Sequence, residues 1–176
     1  AEVSELIPEA DAVVGLGCNK DIVKIIDRTL ANENVQAFES KLELPMTGMR
    51  VQTTLPFFSY LKIAEGCSNC CSYCAIPMIR GKFRSVPMED LIKEAEYLVS
   101  HGVREINVIA QDSTRYGEDI YGESKLPELL TELCRIENLK WIRVLYCYPE
   151  RVTDKLLDVI AKEDKIVKYI ELPVQH

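Results

Sequence analysis

The run "FFSYLKIAEGCSNCCSYC", residues 57–74, decides how the rest of the chain is read. Its first part, FFSYLKIAE (57–65), is a strand candidate that runs straight into four cysteines packed in eight positions. Two spacings overlap there. Cys67/Cys70 and Cys71/Cys74 form back-to-back C-x-x-C units, which would make a closed tetrathiolate for zinc or a thiol module. Cys67, Cys71 and Cys74 alone form C-x-x-x-C-x-x-C, which leaves Cys70 a bystander and one coordination position open for chemistry.

Downstream of the cysteines, strand and helix patterns alternate. PMEDLIKEAEYLVSHG (87–102) opens on Pro, carries acids in its first turn and ends on Gly, so it predicts a helix with Leu91, Ile92, Ala95, Leu98 and Val99 inward. EINVIAQD (105–112) predicts a strand, and KLPELLTELCRIE (125–137) a helix burying Leu126, Leu129, Leu130 and Leu133. WIRVLYCYP (141–149), TDKLLDVIAK (153–162) and KYIELPVQH (168–176) continue as strand, helix and strand. This spacing suits βαβ units and a parallel sheet, so the fold class is α/β, a partial barrel of about four units over 55–176.

Upstream, DAVVGLG (11–17) predicts a strand and KDIVKIIDRTL (20–30) a helix, which together resemble the tail of an α/β domain over 1–30. Residues 31–54, with Pro45, Gly48 and many polar side chains, predict a linker. The first residue is Ala rather than Met, as expected of a chain that starts within something longer.

Four strand ends carry reactive or hydrogen-bonding groups: Glu65-Gly66-Cys67, Gln111-Asp112-Ser113-Thr114, Tyr148-Pro149 and Gln175-His176. In barrels of βα units the C-terminal strand ends share one face, where sites gather. One site assembled at that face is therefore expected.

Composition narrows the class. An odd set of seven cysteines, four of them crowded together, does not read as a secreted disulfide framework. A reducing, cytoplasmic setting with thiols serving a metal is expected. No apolar run reaches the roughly 18 residues of a membrane span. The formal charge of −7 argues against a broad phosphate-binding surface, though it could steer a basic partner.

The triple spacing is the signature of the radical S-adenosylmethionine superfamily. YLKIAEGCSNCCSYCAIPMIRGKFRS, VIAQDSTRYGEDIYG, WIRVLYCYPERVTDKLL and IELPVQH further resemble its methylthiotransferase branch. Within that branch the likeness is to enzymes acting on an aspartate of the twelfth small-subunit ribosomal protein. The tRNA-modifying branch generally has Gln-Asn at Gln111-Asp112 and Ser-His-Pro at Cys147-Tyr148-Pro149.

The resemblance implies a radical SAM barrel and a [4Fe-4S] cluster on Cys67, Cys71 and Cys74, whose open iron binds S-adenosylmethionine. Tyr73 would pack near the adenine. It implies a 5′-deoxyadenosyl radical that takes hydrogen from the aspartate β-carbon, followed by methylthio transfer. An electron donor and the ribosomal protein are the implied partners, with tRNA and membranes disfavoured. Full-length members hold a second [4Fe-4S] cluster upstream, whose ligands this chain lacks; Cys18 takes no such role. Because the likeness stops short of the family's six strands, this chain is expected to hold the first cluster without completing the reaction.

Other residues keep two readings. Gln111 and Asp112 bind cofactor or substrate at the rim, or Asp112 starts a turn. Arg143 points inward to the cofactor carboxylate or to Glu171, or faces solvent. Arg80 and Arg84 contact the cluster surroundings or are ordinary basic loop residues. Cys134 and Cys147 read as packing, and His101 as a helix-end residue. A zinc or thiol module built on all four clustered cysteines, a tRNA methylthiotransferase and an inert folding unit remain the rival readings.

Overall fold

The computed structural model describes residues 2–40, 46, 50–53 and 55–173. The chain divides into two compact units, Ala1–Pro45 and Met46–His176.

In the first unit, helix α1 (Glu2–Leu6) precedes strand β1 (Ala12–Val14), a 3-10 turn (Leu16–Asp21), helix α2 (Ile22–Leu30) and strand β2 (Val35–Ala37). β1 and β2 pair in parallel, so the stretch expected to be linker contains a strand. Cys18, Ile25 and Val35 form a small core against Ala12, Val14 and Ala37. Of the apolar residues on α2, Ile25 alone is buried, while Val23 and Leu30 stay mostly exposed.

The second unit is built on a parallel sheet of β3 (Phe58–Lys62), β6 (Glu105–Ile109), β7 (Trp141–Val144) and β8 (Ile166–Ile170), neighbours in chain order. Two short strands, β4 (Ala64–Glu65) and β5 (Arg84–Ser85), form a separate antiparallel ladder around the cysteine loop. Helix α3 (Ile76–Arg80) lies within that loop. Helices α4 (Met88–Ser100), α5 (Glu118–Tyr121), α6 (Leu126–Cys134) and α7 (Asp154–Lys162) fill the connections.

Alternation along the strands sets the layers. Leu61, Ile106, Val108, Ile142, Val144 and Ile166 share the buried face and join one core with the inward stripes of α4 and α6. All the expected stripe residues are buried except Ile92, which packs at the core's edge. Thr153 caps α7, its side chain accepting from Leu156 N at 3.3 Å. The last strand starts at Ile166 and ends at Ile170, earlier than the expected 168–176, and Gln175 and His176 lie outside the described residues.

The opposite sheet face carries Tyr60, Asn107 and Arg143 in one register row. Arg143 does reach a carboxylate, but not Glu171. Its Nε donates to Glu105 Oε1 at 3.0 Å, one step diagonally across the sheet, and its guanidinium lies 5.7 Å above the Tyr169 ring. Glu171 has another partner, accepting Tyr146 N at 3.1 Å. It lies beyond a register shift in the β7–β8 pairing between Ile142 and Val144, and Tyr146, with φ 59°, breaks the alternation past β7. The same break sends Cys147 into the core.

Candidate metal centre

The cysteines occupy a loop tied at its base. Beyond the β4–β5 ladder, Cys67 N donates to Gly81 O at 3.1 Å and Phe83 N to Ser68 Oγ at 3.1 Å. Gly66 makes the closure possible. Its φ is +76°, and a Cβ there would sit 2.2 Å from Lys82 O.

Within the loop, Cys74 N donates to Cys71 O at 3.0 Å, and Asn69 N to Cys67 Sγ at 3.5 Å. Cys67, Cys71 and Cys74 are half-buried, whereas Cys70 is exposed on a left-handed residue with φ 51°. Burial pushes the Cys67 thiol up, and Asp112 and the Cys71 and Cys74 thiols push the same way. A bound cation reverses that order by stabilising the thiolates.

The other strand ends close over this loop. Asp112, following β6, is fully buried and accepts from Asn69 Nδ2 at 3.2 Å and from Thr114 Oγ1. Arg151 Nε, from the 3-10 turn Pro149–Arg151, lies 3.7 Å from the same carboxylate. Arg115 holds Asn69 Oδ1 at 3.1 Å and Glu118 at 2.9 Å. Tyr148, following β7, sets its hydroxyl 3.5 Å from Cys71 Sγ. That hydrogen bond, with burial second, pushes the Tyr148 hydroxyl up to about 12.

Asp112 starts the 3-10 turn Ser113–Arg115, as one reading of the sequence expects, without a side-chain capping bond; its buried carboxylate anchors Asn69 and Thr114 instead. Gln111 is exposed and lines an open cavity of about 240 Å³ with Lys62, Glu65, Arg80 and Tyr146. Tyr73 leaves 64% of its surface exposed. Arg84 sits in β5 opposite Glu65. His101 ends α4, its Nδ1 2.8 Å from Tyr97 O. Cys134 and Cys147 pack in or against the core, and burial pushes their thiols up to about 11 and about 12. Asn69, Arg115, Glu118 and Arg151 escape a reading of the sequence because, apart from the local Arg115–Glu118 pair, their contacts join segments 33 to 46 residues apart.

Glu65 carries a pH test. Its carboxyl, 8% exposed, accepts from Lys62 Nζ at 2.8 Å and Gly66 N at 3.2 Å, with Arg80 at 3.7 Å. Burial pushes it up, but Lys62, Gly66 N and Arg80 outweigh burial and hold it below 4.5. A depressed carboxylate stabilises the fold above its unfolded value and loses that contribution as pH falls through the folded one. Urea unfolding between pH 7 and 3 is expected to show a shallower acid-side loss for Glu65→Gln than for wild type; equal slopes would rule this out.

The donor set is chemically suited to an iron–sulfur cluster: Cys67, Cys71 and Cys74 are three half-buried thiols on one loop, and a cluster holds each thiolate on a separate iron.

The family profile described as the Radical SAM superfamily matches residues 61–176, more than half of the chain. The chain belongs to the radical SAM superfamily. That membership implies S-adenosylmethionine and an iron–sulfur cluster as its cofactors. The chain is similar to ribosomal protein uS12 methylthiotransferase RimO of Lachnoclostridium phytofermentans, 48% identical over 171 residues, covering 97% of this chain and 39% of that relative. RimO of Caldanaerobacter subterraneus subsp. tengcongensis is 49% identical over 176 residues, covering 99% and 40%. The chain thus spans about two fifths of the length of these relatives. Among solved structures, the radical S-adenosylmethionine methyltransferase TsrM from Kitasatospora setae, with cobalamin and a [4Fe-4S] cluster bound, shares the radical SAM fold. It superposes with a TM-score of 0.52 at 16% identity, over 68% of this chain and 22% of that one.

Proposed function

We propose that this chain carries the cluster-binding half of a radical SAM methylthiotransferase acting on an aspartate of ribosomal protein uS12. The observation that carries the reading is the split among the clustered cysteines: three half-buried in a closed loop, with Cys70 turned outward by a left-handed backbone. Identity of 48–49% with uS12 methylthiotransferases along nearly the whole chain supports the choice of branch.

In this reading Cys67, Cys71 and Cys74 hold the cluster and leave one iron for S-adenosylmethionine. Cluster and cofactor together supply reductive cleavage of the sulfonium and hydrogen abstraction from the substrate. Gln111, Lys62 and Arg80 offer polar and cationic groups to the cofactor from the adjoining cavity. Tyr73 offers an exposed ring to the adenine. Arg143, already engaged by Glu105, braces the sheet. Cys18 packs in the first unit's core, so the second cluster of the full-length enzyme draws no ligand from it.

The test is anaerobic reconstitution with iron and sulfide, followed by visible and EPR spectra with and without S-adenosylmethionine. About four irons per chain and a reduced signal that changes on adding the cofactor are expected. A colourless chain that retains zinc alone overturns the reading. The loaded chain is also expected to bind uS12 in preference to tRNA, and the reverse preference would move it to the tRNA branch.

A further inference from the structure

Resting on the cluster reading above, we infer that Tyr148 tunes the reduction potential of the cluster by donating its hydroxyl hydrogen to the Cys71 sulfur. The two atoms lie 3.5 Å apart. In a free thiol either partner can donate; once Cys71 is a thiolate on iron, the hydroxyl alone has a proton to give. Reduction adds negative charge, part of it on the cysteine sulfurs. A donor aimed at one sulfur therefore favours the reduced state and raises the potential.

The placement is built rather than incidental. Tyr148 N donates to Thr114 Oγ1 at 3.3 Å, and Thr114 donates to Asp112. The same buried carboxylate accepts from Asn69 of the cysteine loop. Pro149 and Arg151 follow Tyr148 in one 3-10 turn, and Arg151 approaches Asp112 as well. The Tyr148 backbone and the cysteine loop are thus both tied to one buried carboxylate, which fixes the base from which the ring reaches the sulfur. Tyr148 is a positioning and tuning residue, not a catalytic one.

The experiment compares wild type, Tyr148→Phe and, as a remote control on α4, Tyr97→Phe. Iron and sulfide content and the EPR-monitored midpoint potential are measured for each reconstituted chain. Tyr148→Phe is expected to keep full iron content while its reduction becomes three- to tenfold less favourable. That is a shift of about 28 to 59 mV to more negative potential, at 59 mV per tenfold for one electron. Tyr97→Phe should match wild type. A Tyr148→Phe chain with full iron and an unchanged potential overturns the inference. So does a loss of iron confined to Tyr148→Phe, which would make the residue a support for the loop rather than a tuner. If wild type itself takes up no cluster, the proposed function fails, and this inference falls with it.

Discussion

Replacing Cys71 with alanine is expected to leave the chain without an intact four-iron cluster, and Cys67→Ala and Cys74→Ala should do the same. Each thiolate would hold its own iron, so losing one removes a ligand that no neighbour replaces. The neighbour at hand is Cys70, and the backbone keeps it away. At φ 51° its side chain leaves the loop toward solvent, and swinging it back would require rebuilding a turn anchored by Cys67 N on Gly81 O. Cys70→Ala should therefore keep its iron and its response to S-adenosylmethionine. Iron and sulfide assays with EPR on the four single variants decide it. Equal loss from Cys70→Ala and Cys71→Ala would restore the closed tetrathiolate.

Gly66→Ala should be strongly destabilising, costing about 3 kcal/mol from left-handed strain and backbone overlap combined. A new Cβ would lie 2.2 Å from Lys82 O and 2.6 Å from Gly81 O. Those are main-chain carbonyls of the strap that closes the cysteine loop, so relief requires opening the closure. Gly122 separates the two contributions. Its φ of +81° is close to that of Gly66, but nothing lies within 4 Å of a Cβ there. Gly122→Ala should cost about 1 kcal/mol, the strain alone. Equal destabilisation of the two variants in urea melts would remove the overlap from the account.

Much of this architecture was legible from periodicity. The three main helices of the second unit carry strong apolar stripes, and the strands between them follow at regular intervals, so element order and sheet type could be read directly. Short pieces could not. The strand expected over 57–65 splits into β3 and the two-residue β4, whose partner β5 is too brief for any alternation to register, and β2 hides in a polar stretch because three residues suffice to pair with β1. At the site, the cysteines announced themselves by spacing, whereas the groups that hold them did not. Asn69, Arg115 and Arg151 are ordinary loop residues until folding brings three strand ends together. Arg143 shows the limit of choosing partners from sequence: Glu171 is one candidate anion for it, whereas Glu105, diagonal to it across the sheet, holds it and Glu171 accepts Tyr146 N.

The sheet order β3-β6-β7-β8 also carries a message about biosynthesis. No strand inserts between two earlier ones, so during translation the sheet can grow by adding each new strand to a finished edge. The thiols emerge first, yet Tyr148, which faces Cys71, is made 77 residues later. A nascent chain therefore exposes its cysteines before the groups that organise them exist. On the proposed assignment, iron loading would follow docking of the third strand of the sheet, and oxidation of exposed thiols would be the hazard of the interval before it.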